Sequence, residues 1–326
     1  MEDVRRDLFA EEAARARRAL VREIEAYGAL RDPLWRSAFA EVPRHLFVPS
    51  YYVAGPGGYV RLWSGDPDPA RRARWLRGAY EDTALATRVR DGELVSSASQ
   101  PSLMAKMLEA LDVRDGDDVL EIGAGTGYHA ALLCHRLGDA HVTTVDLDEE
   151  ITESARAHLA AAGYRPAVIT RDGARGCPEH APYDRIVATC AVPSVPYSWL
   201  AQSRPGARIL TPLSTGLLLL AVRTPDRAEG RFLPGSAYFV ALRGGSVRTP
   251  RPPRTTGVPR RVYEDEGFRF LAGLAGERLD TREALALWLR ERRPERERFG
   301  VTVSGGRQWA WLDDPEGPYA WPLPEL

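Results

Sequence analysis

Lysine is almost absent from this sequence. Lys106 is the only one among 326 residues, and arginine carries nearly all the positive charge. The skew fits codon bias in a GC-rich genome, and it has a chemical consequence. No glycine-rich loop is followed by Lys-Ser or Lys-Thr, so a P-loop nucleotidase is excluded. Cysteine is scarce as well. Cys134, Cys177 and Cys190 form an odd, scattered set, which argues against a disulfide framework and fits reduced thiols in a cytosol. No apolar run approaches the length of a membrane span, and the run from Leu217 to Val222 is strand-sized. The first residues are charged and hold no signal-peptide core, so a cytoplasmic protein with no membrane partner is expected. A net charge of −1 leaves no nucleic-acid footprint. Cys177 and His180 lack a second pair at ligand spacing, so no metal is expected there.

What is present is concentrated in residues 119–127. An apolar strand, Val119, Leu120, Glu121 and Ile122, runs into a turn with glycine at 123, 125 and 127. Glycine permits positive φ and close backbone approach, so a nucleotide-like ligand can sit against the turn and the helix start that follows. The spacing is G-x-G-x-G. A dinucleotide fingerprint requires a glycine where Tyr128 stands, which disfavours an NAD-dependent oxidoreductase. Asp146 ends a second apolar run, Val142 to Val145, where an acidic residue can reach a ribose. The combination is the pattern of an S-adenosylmethionine (SAM) methyltransferase. Each piece also has a plainer reading: turn glycines, a strand-end cap at Asp146, and a turn dipeptide at Asp172-Gly173.

Periodicity organises the rest. Residues 3–27 read as an amphipathic helix, Pro33 opens a short second helix to Glu41, and residues 55–78 read as a Gly-, Pro- and Arg-rich surface loop. Pro101 to Leu111 forms one apolar stripe. Strands are expected at 118–122, 141–145, 167–170, 184–189, 207–211 and 216–222, with helices at 127–137, 149–162 and 195–203. This alternation argues for an α/β fold, a Rossmann-like, mostly parallel sheet flanked by helices. Residues 248–260 read as a linker. Beyond it, Asp280 and Glu283 suggest a capped helix to Arg292, and Val301 to Trp311 suggests a hairpin turning at Gly305-Gly306. Three parts are thus expected: an N-terminal helical and loop region (1–95), a SAM-binding core (96–224) and an α+β C-terminal extension (225–326) suited to peptide recognition.

Six segments in order resemble the protein-L-isoaspartate O-methyltransferase family over roughly residues 30–215. They are Val42 to Pro49, Ala79 to Asp82, Ser97 to Pro101, Glu121 to Tyr128, Arg171 to Gly173, and His180 to Val187. The resemblance implies that Glu121, Gly123, Gly125, Thr126 and Gly127 hold the amino-acid end of SAM. It implies Asp146, with Leu147, at the ribose and Asp172, with Gly173, near the adenine. Ser99 aligns with the family's active-site serine, which contacts the substrate carboxylate; Ser97 and Gln100 flank it. Ser99 and Gln100 either cap the helix that starts at Pro101 or, with Gln100 as the N-cap candidate before that proline, leave Ser99 freer for substrate. Trp309 and Trp311 are either hairpin core or a peptide-binding surface. One departure stands at the substrate side: where the family often has His after the proline, this chain has Ser102.

A narrower likeness is to the branch of the family associated with ATP-grasp ligases in ribosomal-peptide (graspetide) maturation. Ser97 to Ala105, His129 to His135 and Ala188 to Pro193 carry it. That branch implies esterification of an aspartate in a cyclised precursor peptide, followed by aspartimide, with an ATP-grasp ligase as pathway partner. The alternatives are ordinary isoaspartate repair and a non-catalytic SAM-binding scaffold for a ligase. Either carboxylate is ionised at neutral pH and needs no general base, so the lack of a nucleophile–base constellation is expected.

Overall fold

The computed structural model describes residues 9–55, 58–90, 92–244 and 258–324. The chain opens with α1 (Ala10–Ala26), α2 (Pro33–Glu41) and α3 (Arg44–Phe47). In α1 the apolar stripe buries Leu20, Val21 and Ile24 while Arg15, Arg18 and Arg22 stay exposed. Asp32 caps α2 by accepting the Leu34 amide, with Pro33 in the first turn where its missing N–H is harmless. β1 (Ser50–Gly55) and β2 (Gly58–Trp63) pair as an antiparallel hairpin, and α4 (Pro69–Ala79) follows, capped by Asp68. Residues 55–78 are therefore largely regular, contrary to the surface loop expected from their composition. Their glycines and prolines punctuate short elements. β3 (Leu85–Arg90) and β4 (Glu93–Ala98) complete a four-stranded sheet in the order β2-β1-β3-β4, and α5 (Pro101–Leu111) comes next.

The central stretch runs as expected through β5 (Val119–Ile122), α6 (Tyr128–Leu137), β6 (Val142–Asp146), α7 (Glu149–Ala161), β7 (Ala167–Thr170), β8 (Tyr183–Ala188), α8 (Tyr197–Ala201), β9 (Ser203–Leu213) and β10 (Gly216–Thr224), and a strand that was not expected, β11 (Arg227–Phe232), follows. After α9 (Arg260–Tyr263), α10 (Glu266–Ala275) and α11 (Thr281–Arg290), the chain ends with β12 (Phe299–Ser304), β13 (Arg307–Leu312) and β14 (Ala320–Pro322). Both halves of the expected capping box are present at α11. Gly305 and Gly306, at φ 55° and 80°, supply the two positive-φ positions of the β12–β13 turn. Most of the expected linker, residues 248–257, lies outside the described residues, and 260 already begins α9.

Ten strands form one sheet in the order β14-β13-β12-β11-β10-β9-β8-β5-β6-β7. The order reverses at β5, where ligands bind in open α/β sheets, beyond the carboxyl ends of the strands. β5 and β8, and β8 and β9, are parallel. From β9 to β14 every neighbouring pair is antiparallel, so the sheet is mixed and not mostly parallel.

Contacts divide the chain into two compact units. One comprises Met1–Arg114, Ala124–Val142 and Glu149–Val168; the other comprises Asp115–Gly123, Thr143–Asp148 and Ile169–Leu326. In the first, α2 meets α1, α5 and α6, and the Tyr128 ring packs against Phe39 and Phe47 at centroid distances of 6.4 and 5.6 Å. In the second, one continuous core runs from Leu120 and Ile186 to Val301, Leu312 and Trp321. Phe232, Phe270 and Phe299 stack edge to face within it, at 4.8 and 5.3 Å. The C-terminal strands thus extend the same sheet and share its core. No helix among the described residues is long and apolar enough to cross a membrane.

Candidate active site

In the sheet unit, the candidate cofactor residues gather at the carboxyl ends of β5 to β7. Gly123 follows β5 with φ 97°, donates its amide to the Val145 carbonyl at 2.8 Å, and lies so close to Thr189 that a Cβ would sit 2.6 Å from its hydroxyl. Thr189 in turn donates to the Gly123 carbonyl at 2.8 Å. The turn is held from both sides, and only glycine fits. Thr189 carries no sequence signal for this work, because it acts from the end of β8, 66 residues away.

Glu121 is fully buried, and its Oε2 accepts the Thr144 hydroxyl at 2.6 Å. Burial and this bond hold its side chain in one position just before the Gly123 turn. Asp146 ends β6 with its side chain 10% exposed. Arg243 lies over it, 3.4 Å from Asp146 Oδ1 and 3.7 Å from Asp148 Oδ2. Leu147 is 41% exposed beside it. The Arg171 amide donates to the Asp146 carbonyl at 2.8 Å, tying the end of β7 to the end of β6. Asp172 accepts the Ala174 amide at 2.9 Å, and Gly173 is buried with Ile122 and Leu242 where a Cβ would go. Gly244 abuts the Asp172 carboxylate. Glu121, Gly123, Asp146, Leu147, Asp172 and Gly173 are therefore brought to one end of the sheet. Arg243 joins them from the 225–326 region, which was expected to serve peptide recognition. Burial, followed by the charges of Asp146 and Glu121, pushes the Cys190 thiol up, so it stays protonated and is no nucleophile.

In the other unit, Gly125 and Gly127 have φ 51° and 86°. A Cβ on Gly127 would lie 3.2 Å from both the Ala155 carbonyl and Leu159, so α7 packs directly against the turn. The Thr126 carbonyl takes a bond from His158 Nδ1 at 3.0 Å. Burial holds that imidazole below its usual value, which keeps it neutral with the proton on Nδ1. The Ser97 carbonyl is 3.7 Å from the position of a Gly125 Cβ, so Ser97 and the turn meet.

Ser99 and Gln100 link β4 to α5, both half-buried. Gln100 occupies the N-cap position, but its side chain makes no cap bond; its amide reaches Asp82 at 3.2 Å. Asp82 provides the cap instead, accepting the Ser102 amide at 2.8 Å. The Ser99 hydroxyl is left unengaged among the described residues, while its carbonyl accepts a bond from Arg44 at 3.1 Å. Trp309 and Trp311 lie on β13 in the sheet unit. Trp311 is 2% exposed and donates to Thr302 Oγ1, and the half-buried Trp309 donates to the Pro315 carbonyl. The peptide-binding reading of Trp311 is corrected: its ring has no free face.

Comparison with known proteins follows this geometry. The family model for protein-L-isoaspartate(D-aspartate) O-methyltransferase matches residues 70–232. The chain is 36% identical to a protein-L-isoaspartate O-methyltransferase of Hyperthermus butylicus, over 65% of this chain and 81% of the relative. It is 35% identical to the Methanopyrus kandleri enzyme of the same name, over 71% and 92%. Among solved structures, a protein-L-isoaspartate O-methyltransferase superposes with a TM-score of 0.63 at 22% identity, covering 95% of this chain and 100% of that one. A Plasmodium falciparum beta-aspartate methyltransferase in complex with S-adenosyl-L-homocysteine (SAH) gives 0.52 at 13% identity, over 69% and 97%. At those identities the structures establish the fold alone. The narrower likeness to peptide-maturation enzymes has no counterpart in these matches.

Proposed function

We infer the function from one premise: the chain belongs to the protein-L-isoaspartate(D-aspartate) O-methyltransferase family. It is a SAM-dependent carboxyl O-methyltransferase. We propose that its acceptor is the free carboxylate of an L-isoaspartyl residue in a peptide or protein, with the roles below.

The residues at the strand ends fit the cofactor. A ribose diol needs a carboxylate acceptor near a chain turn without side chains, and Asp146 beside the Gly123 turn provides both. Asp172 and Gly173 would hold the adenine end, and Glu121, fixed by its bond to Thr144, would support the amino-acid end. When bound, SAM supplies an electrophilic methyl group on a cationic sulfur. The acceptor carboxylate is ionised already, so no side chain must remove a proton. The protein's work is alignment, and such orientation is worth up to ~7–11 kcal/mol.

One observation carries the substrate assignment. Ser99 presents an unengaged hydroxyl on a segment whose neighbours are all tied down, by Arg44 at its own carbonyl and by Asp82 at Gln100 and Ser102. A hydroxyl so fixed can donate to one carboxylate oxygen and aim the other. Ser99→Ala is expected to lower methyl transfer roughly 5- to 150-fold, the loss of one donor at ~1–3 kcal/mol, with SAH affinity unchanged. Transfer of labelled methyl from SAM to an isoaspartyl peptide, with its aspartyl isomer as control, tests both points. No turnover of the isoaspartyl peptide by the wild type refutes the substrate assignment.

A second reading is methylation of an aspartate in a cyclised precursor peptide made with an ATP-grasp ligase. It rests on Ser102 in place of the usual histidine. The C-terminal extension no longer favours it, because the fold of the extension is shared with a solved isoaspartate methyltransferase. Turnover of a cyclised aspartyl peptide in preference to the isoaspartyl one would favour it.

Arg243 yields a further expectation. Its guanidinium occupies the acid assigned to the ribose, so binding must displace or share the pair. Arg243 is about two-fifths exposed, which limits the pair to ~0–1 kcal/mol. Arg243→Gln should therefore tighten SAH binding by no more than about fivefold, most clearly at low salt. Calorimetry across a salt series checks this, and weaker binding in the variant would make Arg243 a ligand-holding residue instead.

A further inference from the structure

The segments Val42–Pro49 and Ala79–Asp82 helped to mark the family, yet the cofactor and Ser99 leave them without a task. The structure joins them through Arg44. Its side chain is 0% exposed. Nη1 donates to the carbonyls of Ala79 at 2.7 Å and Glu81 at 3.3 Å, and Nη2 donates to those of Thr83 at 3.3 Å and Ser99 at 3.1 Å. Nε is buried without a partner. No carboxylate of the described residues lies within ion-pair distance of the guanidinium. Asp82 acts on the guanidinium only through its charge, without touching it, and its two oxygens accept the Gln100 side chain and the Ser102 amide. Tyr128 lies 5.9 Å from Arg44 Cζ, and Tyr51 and Tyr80 are close by; all three are neutral near pH 7.

A buried cation with no counter-ion in contact is expensive, and carbonyl acceptors repay only part of the lost hydration. An apolar side chain at this position would avoid that cost if packing were the whole requirement. The carbonyls it binds belong to residues 79–83 and to Ser99 itself, so the fixed positive charge is one hydrogen bond from the backbone of the residue assigned to the substrate.

We propose that Arg44 is a positioning residue for the acceptor carboxylate. It locks the Ser99 backbone through its carbonyl bonds, and its charge, which no carboxylate of the described residues touches, makes the Ser99 segment selective for an anionic acceptor over a neutral one of the same shape. This rests on the carboxyl-acceptor reading given above.

The test uses two peptides: an isoaspartyl peptide and the same peptide with that carboxylate replaced by a carboxamide, which is isosteric and neutral. Their affinities are measured with SAH present, beside turnover of the first peptide. The wild type should prefer the carboxylate by at least about tenfold. Arg44→Met should bring that ratio toward one and raise KM, with SAH affinity held within about twofold. Arg44→Lys keeps the charge but loses the planar fork, so it should keep the preference while lowering kcat. Thermal melts establish which variants fold. If Arg44→Met does not fold, Arg44→Lys decides: loss of preference with the charge retained overturns the proposal. A folded Arg44→Met that keeps the wild-type ratio also overturns it, as does a wild type that binds both peptides equally. Absence of turnover on the isoaspartyl peptide counts against the substrate reading alone. The ratio is then read with the aspartyl peptide and its amide, and the same outcomes apply.

Discussion

Asp146→Ala is expected to weaken SAM and SAH binding by roughly 30- to 700-fold, on the order of 2–4 kcal/mol, while the protein stays folded. The size follows from the chemistry of the contact. A carboxylate accepting ribose hydroxyls makes charge-assisted bonds, which are stronger than neutral ones. At 10% exposure its side chain is also shielded from competing water. The fold should tolerate the change because Asp146 gives the sheet its backbone and not its side chain: the Arg171 amide bonds the Asp146 carbonyl, and that bond survives. Arg243 keeps Asp148 as a partner at 3.7 Å, so no buried cation is stranded. Calorimetry with SAH on the purified variant, beside a thermal melt, reads both quantities. Unchanged affinity in a folded protein would remove Asp146 from the cofactor site and shift the ribose toward the exposed neighbourhood of Leu147.

Trp311→Ala should be the most damaging change to stability, at about 3–5 kcal/mol. Trp311 is buried on the face of the β12–β13 pair that carries Gly300 and Thr302, opposite to Ala310 and Leu312. Its indole N–H is bonded to Thr302 Oγ1 at 3.0 Å, Arg231 lies 4.6 Å above the ring, and a Cβ on Gly300 would run into the ring at 2.3 Å. Gly300 thus leaves room shaped for this side chain, and alanine would leave a cavity that a strand pair cannot close. The Thr302 hydroxyl would lose its donor as well. Urea unfolding should show a lower midpoint with an unchanged slope. Under conditions where the variant remains folded, its affinity for SAH and for peptide should match the wild type. A stable variant with lost peptide binding would return Trp311 to the substrate surface.

The two variants probe different kinds of knowledge. Asp146 was identifiable from local pattern, because an apolar strand ending in an acid soon after a glycine turn has a narrow set of uses. Trp311 was not. Two tryptophans spaced by one residue on a strand with a glycine turn are compatible with core or with surface, and only the neighbouring strand distinguishes them. Glu121 lies between these cases. Its place in the motif was legible, but its complete burial and its bond to Thr144 depend on a strand 23 residues away.

Local chemistry in the sequence determined the glycine turn at 123–127, the alternation from β5 to β10, the capping box at Asp280 and the Gly305-Gly306 hairpin. Each depends on residues within one turn or one strand period, where sterics and backbone hydrogen bonding leave few choices. Tertiary structure alone decided that β12 pairs with β11 across 67 residues from Phe232 to Phe299, making the extension part of the same sheet. It also decided that Arg243 covers Asp146, that Thr189 supports Gly123, and that Arg44 reaches Ser99 across 55 residues. Such partners are chosen by which strand edges and buried charges must be satisfied once the chain is compact. A periodicity of two or 3.6 residues carries no information about that choice.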